Sequence, residues 1–363
     1  MAAKVAGPRA SARQYHSHLS RLAAGLLAGA IALAGTVTFA AAQDNKPEQS
    51  EVTVFAEPSF NTPVQLITAK NMGFFDKFGL KVDVRYFQSA SEVPAGMVGG
   101  SIVLAHGGLA NPLITADQGH KVKIVAQIAD WSRSTSLVVQ PELANATPQD
   151  LVGKILVGPD IPVLKMFWLN WTKLNGIDPA SVKWQNTAPS DAYAAFLSKQ
   201  ADAMLLWPPF TRKAVDEAGA VLWQDGQRSH RPGAEGDARV YYNWGVVFVS
   251  DEWYQQNPRT VEAYLSGLYL AQAYMKCHAK EVAEIVSKEV RVEPANGEKE
   301  MALNTYSLDM DSSFVTATQG AADFYSGVGM LKNKYDMSQV IDPSLIDKIK
   351  STVEIPAEWQ TCS

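Results

Sequence analysis

The stretch "GFFDKFGLKVDV", residues 73–84, decides the fold class of this chain. It ends a helical segment, turns at Gly79, and continues as a strand in which Leu80, Val82 and Val84 alternate with polar residues. Alternation with a period of two predicts a strand with one buried face. A helix followed directly by such a strand indicates an α/β protein.

The segments on either side continue the alternation of strands and helices. Up to residue 129 the pattern predicts four strands separated by helices, and a smaller set of the same kind follows between residues 136 and 223. In the second set, a helix over 164–174 has Phe167, Trp168 and Trp171 on one face, which predicts core packing. Residues 224–239 are polar and predict a loop, 240–249 predict a returning strand, and helices dominate from residue 258.

Repeats of this spacing favour a doubly wound sheet. We predict an α/β protein of two lobes, each built on a doubly wound, mostly parallel sheet, with a helical C-terminal extension. The first lobe comprises residues 51–138 and 240–363, and the second comprises residues 139–239. Two crossings near 131–139 and 240–249 suit a clamp that closes on a ligand.

Residues 1–42 predict a signal peptide. Lys4, Arg9, Arg13 and Arg21 precede an apolar run over 22–40, and three alanines at 40–42 supply a cleavage site after Ala42. A membrane anchor is the alternative, because the run approaches the ~20 residues that span a bilayer. Its Ala and Gly content favours cleavage. We therefore expect a periplasmic chain with no membrane insertion after cleavage.

Charge and cysteine content indicate which partners are excluded and whether the chain holds a disulfide. Without the four basic residues of the signal segment, 28 basic residues face 37 acidic ones, a net charge of −9. An acidic chain argues against nucleic acid as a partner. The only cysteines are Cys277 and Cys362, and an even pair in an oxidising compartment favours a disulfide over two unrelated thiols.

Four motifs carry a family resemblance: "ITAKNMGFFDKFGLKVDVRYF" at 67–87, "PQDLVGKILVG" at 148–158, "AYAAFLSKQADAMLLWPPF" at 192–210, and "AGAVL" at 218–222. In this order they resemble the periplasmic substrate-binding proteins of nitrate, sulfonate and taurine importers. The resemblance implies a type II periplasmic binding protein that closes on a small-molecule solute and delivers it to the transmembrane subunits of an ABC permease. We further expect a monomer without a cofactor.

Candidate site residues follow the predicted strand ends, because ligands of open α/β sheets bind beyond those ends, near free N–H groups of helix N-termini. The candidate ligand-binding residues are Ser59, Phe60, Asn61, Ser89, Gly108, Leu109, Trp131, Arg133, Asp160, Ile161, Trp207, Asn243 and Trp244. Simpler roles stay open for some of them. Asn61 is alternatively a helix N-cap, and Ser89 and Gly108 are alternatively turn residues.

The resemblance places a pocket aromatic at Trp207. Arg133 lies where the chain leaves the first lobe, and it either clamps a carboxylate or sulfonate or is a solvated hinge residue. Asp160 stands where related sulfonate binders have hydroxyl side chains, and its carboxylate repels an oxyanion unless it serves a ligand amine. An aromatic wall of Phe60, Trp131, Trp207 and Trp244 favours a flat or apolar solute. We expect a small organic anion, aromatic or sulfonate- or taurine-like, rather than nitrate or a simple alkanesulfonate.

Enzymatic function has little support in the sequence. The histidines after residue 42 are His106, His120, His230 and His278, widely spaced and without a metal-ligand pattern. No nucleophile elbow or phosphate-binding loop motif is present. We predict a binding protein rather than an enzyme. A thiamine-pyrimidine-synthesis-like enzyme on the same fold is an alternative, although it would need a cysteine cluster, and a periplasmic sensor subunit is another.

Overall fold

The computed structural model describes residues 46–87, 92–291 and 294–362. Its strands are β1 (Glu51–Ala56), β2 (Lys81–Tyr86), β3 (Leu104–Gly108), β4 (Val122–Asp130), β5 (Ser136–Val139), β6 (Ile155–Gly158), β7 (Lys183–Asn186), β8 (Ala203–Leu206), β9 (Val221–Asp225), β10 (Arg228–Ser229), β11 (Gly236–Asp237), β12 (Trp244–Ser250) and β13 (Thr305–Tyr306). Its helices are α1 (Val64–Asn71), α2 (Glu92–Val98), α3 (Ala110–Asp117), α4 (Pro162–Leu174), α5 (Pro189–Leu197), α6 (Phe210–Ala218), α7 (Asp251–Gln256), α8 (Pro258–Cys277), α9 (Ala279–Val290), α10 (Pro294–Met301), α11 (Ser312–Gly327), α12 (Met337–Val340), α13 (Ser344–Thr352) and α14 (Ala357–Gln360).

The strands form two sheets with a shared arrangement. The first sheet has the order β13-β4-β12-β3-β1-β2, and the second has the order β11-β10-β9-β5-β8-β6-β7. In the first, β1 pairs in parallel with β2 and β3, and β12 is inserted antiparallel between β3 and β4. In the second, β6 pairs in parallel with β7 and β8, and β5 is inserted antiparallel between β8 and β9.

The predicted fold class, a two-sheet α/β protein with C-terminal helices, is confirmed. The inserted strands make the pairing in each sheet mixed, while four strands of the first sheet and five of the second still run in one direction. The chain passes between the sheets at β4–β5 and again at β11–β12. The exact lobe boundaries stay a prediction.

Residues 73–84 fold as expected from the sequence. Gly79 has φ +70°, a left-handed conformation that glycine adopts without steric cost, and it ends a short 3-10 turn over Asp76–Phe78. In β2 the side chain of Val82 is buried, whereas Lys81 and Asp83 are exposed. The alternation in sequence is therefore the alternation of the two faces of this strand.

The predicted strand over 240–249 begins later, at Trp244. Residues 240 and 241 instead bond to other segments: Val240 N–H and Tyr241 N–H both donate to Gly226 O, and Asn170 Nδ2 donates to Val240 O. The predicted loop over 224–239 contains the short strands β10 and β11. These bonds fix the returning segment before it enters the first sheet.

Two further predictions are confirmed. Phe167, Trp168 and Trp171 of α4 are buried, and the two indole rings stack with centroids 5.3 Å apart. Cys277 and Cys362 form a disulfide with Cα atoms 5.2 Å apart, which attaches the C-terminal segment to α8.

The signal segment lies outside the described residues. Within the described ranges, every helix is too short or too polar to cross a membrane.

Candidate functional site

The loop after β1 carries three of the predicted residues. Ser59 Oγ accepts hydrogen bonds from the N–H groups of Asn61 and Thr62, at 3.2 and 3.3 Å. The N-cap of α1 is Pro63, without a side-chain bond, so the alternative role of Asn61 as N-cap is wrong. Its Oδ1 instead accepts from Asn304 Nδ2 at 3.0 Å.

Phe60 is the most buried of these residues, with 1% of its surface exposed. Its ring lies against Gly297 of α10 so closely that the glycine has no room for a Cβ. Its carbonyl oxygen accepts from Tyr306 Oη at 2.9 Å. The aromatic side chain therefore packs α10 against the first sheet, whereas the neighbouring Ser59 and Asn61 are only half-buried.

His106 of β3 lies beneath this loop and is fully buried. Thr62 O lies 3.1 Å from Nδ1, and the Tyr264 hydroxyl lies 2.5 Å from Nε2. Because a carbonyl can only accept, Nδ1 carries the proton and Nε2 accepts from the tyrosine. Burial lowers the pKa of His106 to about 4, only partly opposed by the bond to Thr62. His106 is thus a neutral residue whose two ring nitrogens are both bonded.

At the ends of β3 and β4, Trp131 fills a space between two backbones. Its ring lies against Gly245 without room for a Cβ and passes near Gly108. Its Nε1 is buried and has no hydrogen-bond partner within the described part of the chain. Leu109 is buried and donates its N–H to Trp244 O at 3.0 Å.

The predicted site residue Ser89 lies outside the described residues.

The two chain crossings are joined by a polar network. Asp130 accepts from Ser132 N–H at 2.8 Å and from Arg239 Nη1 at 3.0 Å. Asn243 donates its N–H to Ser132 Oγ at 3.0 Å, and its carbonyl accepts from Trp131 N–H at 2.7 Å. This network holds both crossing segments in one register.

Aromatic rings continue from this network. The guanidinium of Arg239 lies 4.7 Å from the ring centre of Tyr242, which is exposed and stacks on the buried Trp244 at 5.0 Å. Arg239 and Tyr242 are absent from the predicted site. The sequence offered only one signal for them, namely their position where the predicted loop meets the predicted returning strand.

The second sheet presents a more open edge. After β6, the side chain of Asp160 forms an ion pair with Lys165 at 2.9 Å, and its N–H donates to Asn186 Oδ1 at 3.0 Å. Ile161, which precedes α4, has 36% of its surface exposed. The acidic group here is therefore partly neutralised, and an apolar side chain beside it stays accessible.

Trp207 and Arg133 lie at the same edge. Trp207 follows β8, is half-buried, and packs against the cores on both faces of its strand. Arg133 has 36% of its side chain exposed, and its Nε lies 3.7 Å from Asp225 Oδ2. At this separation the two groups form an ion pair without a hydrogen bond, so the guanidinium retains donors that are free among the described residues.

Two glutamates near these edges were not predicted. Glu57 directly follows β1 and is exposed. Glu300 of α10 is half-buried, and burial raises the pKa of its carboxyl, with Arg212 of α6 acting in the opposite direction. The only sequence signal that could have predicted them as site residues is their position, immediately after a strand for Glu57 and near the end of a helix for Glu300. The edges thus offer cationic, acidic and aromatic groups for a polar organic solute. Within the described ranges, no three His, Cys, Asp or Glu side chains are grouped to hold a metal ion.

Comparison with known proteins identifies related chains. The profile described as "NMT1/THI5 like" matches residues 62–282. The taurine-binding periplasmic protein of Escherichia coli (strain K12) is 25% identical over 215 residues, which cover 58% of this chain and 62% of that protein. The chain therefore spans about three fifths of the length of this curated relative.

Solved structures share the fold at lower identity. The periplasmic aliphatic sulphonate binding protein SsuA from Escherichia coli superposes with a TM-score of 0.67 at 16% identity, over 81% of this chain and 93% of that one. A mutant of the desulfurization enzyme DSZB in complex with biphenyl-2-sulfinic acid gives a TM-score of 0.60 at 14% identity, over 83% of this chain and 99% of that one. The same fold therefore occurs in binding proteins and in an enzyme.

Proposed function

Because the chain belongs to the NMT1/THI5 like family, we propose that it is the periplasmic solute-binding protein of an ABC importer. In this proposal the two sheets are the cores of two lobes, comprising residues 51–138 with 240–363 and residues 139–239. A small organic anion binds between the carboxyl ends of their strands. The loaded protein, a monomer, then delivers the solute to the permease.

The observation that carries the proposal is the shared topology of the two sheets together with what lies at their edges. Both sheets receive one inserted strand from a chain crossing, so the lobes can rotate about two connecting segments. Beside the crossings, Arg133 and Trp207 are partly open to water. A guanidinium and a flat ring are groups that recognise the acid and the body of an organic anion.

The relatives support the class of solute. The curated relative is a taurine-binding protein, and a protein of the same fold binds aliphatic sulphonates. The Asp160–Lys165 pair offers both charges next to the exposed Ile161, which suits a solute with an acidic group and a further polar or apolar part. We propose a carboxylate or sulfonate on an organic body, including taurine-like zwitterions.

Native mass spectrometry of protein purified without denaturation should identify a retained solute. Calorimetry with benzoate, benzamide and benzylamine then separates the contributions of charge. We expect Trp207→Ala to weaken all three by about 30-fold, because loss of a binding hot spot costs about 2 kcal/mol. Arg133→Ala should weaken benzoate selectively. Arg85→Ala, on the exposed face of β2, is the matched control and should change nothing.

Unchanged affinity in both Trp207→Ala and Arg133→Ala would move the site elsewhere. If small-angle scattering shows no contraction with any solute that binds, the closing clamp is wrong.

An enzyme on this fold is the second candidate, favoured by the likeness to DSZB. Binding without turnover requires that the tightest ligand be recovered intact after incubation with the protein. Recovery of a converted product, checked by liquid chromatography and mass spectrometry, would establish the enzyme instead.

A further inference from the structure

A cavity of about 170 Å³ lies between α6 and the second sheet. Its apolar walls are Val138 and Leu222 on the strands, Val215 on the helix, and Leu303 from the segment after α10. Cavities of about 150 Å³ accommodate a group of the size of benzene. The space is therefore large enough for a ring or short chain, and its walls include residues from both sides of the chain crossings.

Two arginines line this cavity. The Arg212 side chain has no hydrogen bond or ion pair within the described ranges, and its Nε is buried. Arg133 Nε is likewise buried, and it has no hydrogen bond to any residue that the structure describes. A buried donor that has lost water and gained no partner costs free energy, which a ligand acceptor would recover.

The acidic side chain nearest to Arg133, Asp225, already accepts hydrogen bonds from other groups. Asp225 Oδ1 accepts from the N–H groups of Gln227 and Arg228, each at 2.7 Å, and Oδ2 lies 2.8 Å from His230 Nε2. These bonds satisfy much of its acceptor capacity, so Asp225 holds the local structure and leaves the guanidinium of Arg133 available.

Other charges face the cavity as well. Asp216 lies one turn further along α6, and Glu300 acts on Arg212 from α10 without a contact within 4 Å. These negative charges are opposed by α6, which begins next to the cavity, because the N-terminal end of a helix carries partial positive charge. Two guanidiniums and this helix end make the cavity attractive to an anion with an apolar body.

We infer that this cavity is the subsite for the acidic group of the solute, with Arg133 and Arg212 donating to a carboxylate or sulfonate and the apolar walls contacting the ring or chain that bears it. This inference rests on the proposed function, because it assigns one end of the same solute. It adds Arg212, Val215 and Leu303 to the site. It also explains how an anion binds although Asp160 stands at the start of α4.

The test uses benzenesulfonate and benzoate as anionic probes and benzamide as the neutral probe, measured by calorimetry on the full chain. Arg212→Met keeps an unbranched apolar side chain and removes the charge. We expect it to weaken both anions by about 10- to 100-fold, the range for a lost hydrogen bond to a charged group, and to leave benzamide unchanged. Lys213→Met, one residue along the helix and exposed, is the matched control and should bind all probes as the wild type does. A larger loss for one anion tells whether the subsite prefers a sulfonate or a carboxylate.

Val215→Phe provides a second arm, because it fills the cavity without changing charge. It should weaken both anions while urea unfolding shows an intact fold. Equal anion affinity in the wild type, Arg212→Met and Val215→Phe overturns the inference, as does failure of the wild type to bind either anion. If the three proteins bind the anions equally but Trp207→Ala weakens binding, the proposed function stands without this subsite. If no solute contracts the protein in scattering, the proposed function fails whatever Arg212 does.

Discussion

At the carboxyl end of the first sheet, the predicted site residues are largely packed against other parts of the chain, whereas at the end of the second sheet they remain partly open to water. Phe60, Leu109 and Trp244 are buried at the first edge. Ile161 and Trp207 are accessible at the second. The predicted residues follow strand ends at both edges, so the difference in their burial comes from the segments that pack on each edge. The first edge is covered by α10 and by neighbouring backbone. We expect substitutions there to change stability first and affinity second, and the reverse at the second edge.

The largest expected effect is on Phe60. Phe60→Ala should lower the free energy of unfolding by about 3–5 kcal/mol, the usual cost of removing a fully buried aromatic ring. Urea denaturation followed by far-ultraviolet circular dichroism measures the loss. Trp207→Ala is the comparison at the second edge, where a half-buried ring should cost clearly less stability. Equal losses for the two variants would remove the contrast between the edges.

The buried His106 predicts acid sensitivity of the first edge. The pKa of about 4 in the folded protein lies below the ordinary value of 6.5. As pH falls from 6.5 towards 4, the unfolded chain binds a proton that the folded chain does not, so stability falls through this window. The shift corresponds to about 3 kcal/mol, lost progressively between these two pH values.

Urea denaturation of the wild type and of His106→Gln at several pH values isolates this contribution. The carboxyl groups titrate in both proteins, so their effect on the free energy of unfolding cancels in the difference between the two. NMR titration of the histidine Cε1–H signal gives a direct readout that does not depend on how well the variant folds. A His106 signal that titrates near pH 6.5 would contradict the prediction.

Local patterns in the sequence were enough to predict much of the fold. The alternation of Val82 and Val84 gave one face of β2, and the aromatic spacing in α4 gave its buried side. The pairing of Cys277 with Cys362 followed from their number and the expected compartment. Each of these inferences depends on neighbouring residues or on a count, which a single sequence displays.

The state of the site residues depends on partners far along the chain. Asn61 bonds to Asn304, 243 positions later, and Asp130 bonds to Arg239, 109 positions later. Phe60 is buried because Gly297 permits close approach. Strand-end reasoning proposed neighbourhoods for the site, but it could not tell which side chains pack inward. It also missed Arg212, because nothing near α6 in sequence shows that its buried Nε has no partner in the described part of the chain.

The smallest expected effect is at Asp160 on the open edge. Its ion pair with Lys165 spans 2.9 Å, and the two side chains are 41% and 42% exposed. Solvated pairs of this kind contribute little, so Asp160→Asn should change the free energy of unfolding by only about 0.5 kcal/mol. Urea denaturation measures this change, and the contrast with Phe60→Ala should be clear.

Affinity sharpens the same test. Because Lys165 already neutralises much of the carboxylate charge, Asp160→Asn should leave benzoate binding unchanged and weaken benzylamine by a few-fold, as expected for a partly screened contact. Lys165→Gln is the matched control: it frees the carboxylate and should strengthen benzylamine while weakening benzoate. Calorimetry on both variants decides. If Asp160→Asn strengthens benzoate tenfold, the carboxylate repels the bound acid despite its lysine, and the acidic group of the solute must then lie beside Asp160 rather than between Arg133 and Arg212.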